Sequence, residues 1–188
     1  MTSPVETASP LEIASLWRLN FLSGDDVAAV CLRWLEEDLD GGDPDIATFA
    51  GEARLSVVEI APIFERILVH LTGRSLGREE AILRALRLYL ALALEGDLME
   101  GVHQLLDRFR GLSEQRLVHN PRRARDHPDE VYAEQELGLE YICGGFYAFD
   151  DIQHLSPHEQ EVAKAELRQD LRDAVSELEK HLAAKLVR

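Results

Sequence analysis

AILRALRLYLALAL, residues 81–94, is apolar at twelve of fourteen positions and interrupted only by Arg84 and Arg87. The run is too long for an ordinary strand. It is also too short and too charged for a membrane span, which needs about 20 apolar residues. A helix that is apolar almost all round has to lie among other helices. The stretch therefore predicts an all-α fold, a single domain over 1–188 in which about eight helices surround a central one.

Working outward, the helix punctuation agrees. Ser9-Pro10-Leu11-Glu12 carries a capping serine, proline at the first helical position and glutamate three residues on. Its helix is expected to run to about Asn20, offering Leu16, Trp17 and Leu19 for burial. Ser23-Gly24-Asp25-Asp26 opens a second helix, with Val27, Val30, Cys31, Trp34 and Leu35 on one stripe. Asp43-Pro44 begins a short third helix ending near Gly51. In 56–71, Pro62 suits a helix start better than a helix interior, so 57–60 reads as a turn or a kinked first turn. Ser75 is expected to cap the central helix, Asp97 the next, and Gly111 to stop the latter.

Beyond it, 111–127 is irregular and holds Arg116, Arg122, Arg123 and Arg125, the one basic island. A helix is expected from Pro128 to Ile142, ended by Gly144-Gly145. Ser156-Pro157-His158-Glu159 then starts a terminal helix of nearly 30 residues, about 45 Å long. Leu167, Leu171, Ala174, Val175, Leu178 and Leu182 form its apolar stripe.

The formal net charge of −15 is the strongest compositional signal. Nucleic acids and anionic membranes attract clustered positive charge, so neither is an expected partner. A basic protein is, because an acidic face accelerates encounter and supplies specificity. Arginine outnumbers lysine 17 to 3, a bias that suits a GC-rich bacterial genome. The two cysteines, Cys31 and Cys143, lie outside any metal-ligand spacing and read as reduced thiols of a cytoplasmic protein. The first ten residues show neither a basic n-region nor an apolar h-region, so a signal peptide is not expected.

Catalytic, cofactor and metal motifs are not evident. The acidic run containing Glu36, Glu37, Asp38, Asp40, Asp43 and Asp45 fails the calcium-loop register: with Glu36 first, Ala47 stands where the bidentate glutamate belongs. Glu100 and His103 match half of a di-iron pattern that requires a second such pair. His154 and His158 are separated by the helix-breaking Ser156-Pro157. Cys31 falls on an apolar face, and no Gly-x-Ser-x-Gly elbow or phosphate loop occurs. Tyr141, Phe146, Tyr147 and Phe149, followed by Asp150 and Asp151, instead have the composition of an interface hot region. These six, with Glu36, Glu37, Asp38 and Asp40, are the candidate partner-binding residues.

Leu16-Trp17-Arg18-Leu19-Asn20-Phe21-Leu22-Ser23, followed by Asp25-Asp26 and Trp34-Leu35-Glu36-Glu37, resembles small uncharacterised helical proteins of bacteria. The acidity, small size and cytoplasmic character are also similar to immunity proteins of bacterial polymorphic-toxin systems. That resemblance implies a protein that binds and masks a toxin, often through an acidic surface. The expected function is thus non-enzymatic binding of another protein, with no cofactor. Two rival readings are an α-helical enzyme or ligand-binding protein using Glu100, His103 and the arginine island, and a module that self-associates through the terminal helix.

The helix assignments imply two classes of substitution. Leu86→Ala or Leu90→Ala should cost about 2–5 kcal/mol through lost burial. Ser156→Ala should cost closer to ~1 kcal/mol through its cap. Urea denaturation of the variants distinguishes them; equal losses would contradict the central position of 81–94.

Overall fold

Local side-chain caps set where most of the helices begin. In a computed structural model of the chain, which describes residues 3–52, 54–113 and 154–186, the described residues form eight α-helices and no strand. They are α1 (Pro4–Thr7), α2 (Pro10–Arg18), α3 (Gly24–Glu36), α4 (Pro44–Ala50), α5 (Val57–Thr72), α6 (Arg78–Glu95), α7 (Leu98–Ser113) and α8 (Pro157–Leu186). The fold is all-α. Ser9 and Glu12 form a reciprocal capping box on α2, and Ser23 and Asp26 form another on α3. Ser156 and Glu159 make the same pair of bonds at the start of α8. Asp43 accepts from the Asp45 N–H, and Asp97 accepts from Met99 and Glu100 at 3.0 Å each.

The chain reverses after α2 and α3 by one device. In each, the residue beyond the cap turns left-handed: Asn20 at φ 59° and Asp38 at φ 55°. Phe21 N–H then reaches the Leu16 carbonyl at 2.9 Å, and Leu39 N–H reaches that of Trp34 at 2.8 Å. These bonds satisfy carbonyls that the helix end would leave open.

Several boundaries differ from the sequence reading. α1 was not anticipated; at four residues it carries no periodic signal. α5 starts at Val57, upstream of Pro62, and takes the proline inside the helix. Proline removes one N–H and so frees the carbonyl four residues earlier, that of Val58. Val58 is 85% exposed, so solvent can bond the freed carbonyl. Ser75 does not cap α6: the first helical bond runs from Ala81 N–H to the Gly77 carbonyl, after Leu76 has turned into the core. α7 continues through Gly111 to Ser113; one helical glycine costs about 1 kcal/mol, which packing can offset. The expected helix from Pro128 to Ile142 and the arginine island lie outside the described residues.

Two compact units make up the chain, Met1–Leu88 and Tyr89–Arg188, the division falling within α6. In the first, α1 and α4 pack on α3, while α2 and α4 pack on α5. Phe64 of α5 meets Trp17 of α2 edge-on, 4.9 Å between ring centres, and stacks near Trp34 of α3 at 6.1 Å. Ile13, Leu16, Val27, Ile46 and Ile67 complete this core, each at most 1% exposed. The Arg33 guanidinium bonds the Ala8 carbonyl and so ties α3 to the end of α1. Gly24 opens α3 hard against the backbone of Leu55: a Cβ there would stand 1.8 Å from the Leu55 carbonyl oxygen.

In the second unit, the end of α6 and α7 form a tight helical hairpin. A Cβ on Gly101 would lie 2.4 Å from the Ala93 Cα, so the crossing exists because Gly101 has none. Tyr89 and Phe109 meet edge-on at 5.8 Å. α8 buries Leu167, Leu171, Leu178 and Leu182, with Ala174 and Val175 partly covered, the stripe read from the sequence. Across both units α6 buries Ala81, Ile82, Leu83, Ala85, Leu86, Leu88, Tyr89, Leu90 and Ala93, as expected of its composition.

Alanine normally favours a helix over glycine by about 1 kcal/mol. Gly24→Ala and Gly101→Ala should reverse that sign, losing about 1–3 kcal/mol through overpacking against backbone. Gly77→Ala, which meets nothing within 4 Å, should change stability by less than ~0.5 kcal/mol. Thermal unfolding of the three variants checks this; a stabilised Gly101→Ala protein would refute the close crossing.

Candidate protein-binding surface

The first unit carries an acidic turn held rigidly from both sides. Glu36, Glu37 and Asp38 end α3, and all three are exposed. The left-handed Asp38 bends the chain away, Asp40 accepts from the Gly42 N–H at 3.1 Å, and Gly41 and Gly42 supply two more positive φ values, 59° and 76°. Asp43 then caps α4. Glu37 receives Arg33 at 3.3 Å, whereas Glu36, Asp38 and Asp40 point their charge toward solvent to different degrees.

α5 braces this turn. The Arg66 guanidinium pairs with Asp43 at 3.5 Å and with Asp45, and Gly41 lies beside the His70 ring. The only arginine of α5 is thereby engaged by the start of α4. Opposite its Phe64 face, α5 leaves an apolar stripe in solvent: Val58, Pro62 and Val69 are four and seven residues apart, a spacing that places them on one side. Val58 is 85% and Val69 43% exposed; Val57 and Ile63, at 37% each, flank the stripe. Leu39, 41% exposed, projects from the acidic turn itself.

Of the residues singled out from sequence, Glu36, Glu37, Asp38 and Asp40 come together on this turn. Tyr141, Phe146, Tyr147, Phe149, Asp150 and Asp151 lie outside the described residues. The α5 stripe was missed. Its signal was present, since 57–71 holds more apolar residues than one buried face can use, but composition does not say which side is covered.

Other chemistry-bearing groups are engaged structurally. Glu100 lies near the Gln104 amide, and His103 faces Asp107 at 3.5 Å on the following turn. Among the described residues no three His, Cys, Asp or Glu side chains stand where they could hold a metal ion. No described helix is long and apolar enough to cross a membrane. Glu80 sits between Arg74 and Arg84, and these guanidinia, Arg74 foremost, hold its carboxyl below the usual range.

Cys31 is fully buried, and burial pushes its thiol up to about 12. Thiolate, the reactive form, is therefore withheld. In a Cys143→Ser background, the folded chain should resist a thiol reagent at about pH 8 and react once denatured. Because the unfolded chain gives up this proton first, stability should fall as pH rises from about 9 towards 12, and Cys31→Ala should flatten the decline. Rapid labelling of the folded chain would refute the burial argument.

No family model matches the chain, nor does any curated protein or solved structure.

Proposed function

We propose that the chain is a non-enzymatic protein-binding module that receives a basic protein on the acidic turn between α3 and α4. The observation that carries this reading is the exposure of Glu36, Glu37 and Asp38 on a turn whose backbone is already fixed. A fixed turn loses little conformational entropy when a partner docks, and rim carboxylates steer a cationic partner and set its orientation. In its most specific form the partner is a basic bacterial toxin, which the module neutralises in the cytoplasm. The fully buried free thiol of Cys31 suits that compartment.

The test is to cross-link the tagged full chain in its host cell and titrate each recovered protein against the purified chain. The expected partner is basic. Its Kd should rise at least about 10-fold for the combined Glu36→Gln, Glu37→Gln, Asp38→Asn and Asp40→Asn variant, and again with added salt. Affinity indifferent to both changes would overturn the reading. So would turnover of a small molecule by the chain in the absence of any partner.

A further inference from the structure

Residues 36–70 hold nine carboxylates against two arginines, with no lysine. Arg66, one of the two, is drawn to Asp43 and Asp45. Over this charged background runs the Val58–Pro62–Val69 stripe, about 16 Å of helix at 1.5 Å per residue. An apolar strip with an acidic border is unusual on a surface helix, where the outward face is normally polar. Glu59 and Glu65 lie on α5 beside the strip, and the Asp38–Asp40 turn abuts the helix near His70. The carbonyl of Val58, deprived of its helical donor by Pro62, adds a hydrogen-bond acceptor at one end.

We propose that this outward face of α5 is the docking surface for a cationic amphipathic segment of the partner, its apolar side chains on Val58, Pro62 and Val69 and its lysines or arginines on the bordering carboxylates. This rests on the protein-binding reading above and adds to it the surface and the chemistry of the segment bound. Charge selects the occupant. A second copy would bring the same carboxylates face to face, and nucleic acid or an anionic membrane would be repelled. A segment apolar on one side and cationic on the other satisfies both features, in the manner of a helix laid along a groove.

The probe is a labelled peptide of leucine and lysine, about 14 residues long and patterned as an amphipathic helix, titrated into the full chain by fluorescence anisotropy. Its scrambled counterpart, which has no apolar face, should bind at least about 10-fold more weakly. Val58→Ser with Val69→Ser should weaken the patterned peptide at least about 10-fold while leaving the unfolding temperature almost unchanged, since both side chains are exposed. Val162→Ser, an exposed valine of α8, should leave binding unaltered. Equal binding of patterned and scrambled peptides would overturn the proposal, as would indifference to the valine substitutions. A dimer in light scattering that the valine substitutions abolish would assign the face to a second copy. Tighter peptide binding after Arg116, Arg122, Arg123 and Arg125 are changed to serine would assign it to the chain's own arginines. Either result overturns the proposal. Should the partner recovered in the host be lost by the carboxylate variant and kept by the valine variant, protein binding stands and the α5 face is removed from it.

Discussion

Phe64 lies between Trp17 and Trp34, and the first unit is organised by that contact. One ring from α5 meets one from α2 and one from α3, so three helices are fixed by a single buried cluster. Aromatic pairs in such geometry contribute about 0.5–1.5 kcal/mol beyond the area they bury. The cluster also fixes the rotation of α5 about its axis. With Phe64, Ile60, Ile67 and Leu68 inward, the opposite side of the helix has nowhere to go except solvent. The exposed valines are a geometric consequence of where the tryptophans stand.

Electrostatics acts on this frame locally. Most carboxylates of the first unit have a structural task before any task toward a partner: Glu12 and Asp26 close capping boxes, Asp43 caps α4 and holds Arg66, and Glu80 gathers Arg74 and Arg84. Exposed ion pairs of this sort contribute little, about 0–1 kcal/mol each. Their effect is to occupy the arginines. What remains toward solvent is the excess of acid over base, concentrated where α3 ends and α4 begins.

Features encoded within four residues were legible in the sequence. Ser9, Ser23, Asp43, Asp97 and Ser156 all cap the helices expected of them, because a cap is a bond between neighbours in the chain. The composition of 81–94 revealed a buried helix for the same reason: no partner needs to be known to see that every side is apolar. The failures involve distant partners. Pro62 looked like a boundary, yet the tertiary burial of Phe64 and Ile60 holds the helix on both sides of it. Ser75 looked like a cap, yet Leu76 is drawn into the core and the helix starts after Gly77. The acidic half of the candidate surface was readable as a run of charges. Its apolar half was hidden, since a helix with valine and isoleucine on several sides does not reveal which of them the tryptophans will claim.

Asp38 has a consequence of its own. It occupies a left-handed turn that glycine and asparagine enter more easily, as Gly73 and Asn20 do at the ends of α5 and α2. It also sets a negative group beside the negative pole of α3. Two unfavourable contributions therefore coincide in a side chain that bonds nothing within the core. Engineering the molecule for heat resistance would exchange this aspartate first, and in doing so would blunt the anionic corner of its surface: at this one residue, durability and recognition pull in opposite directions.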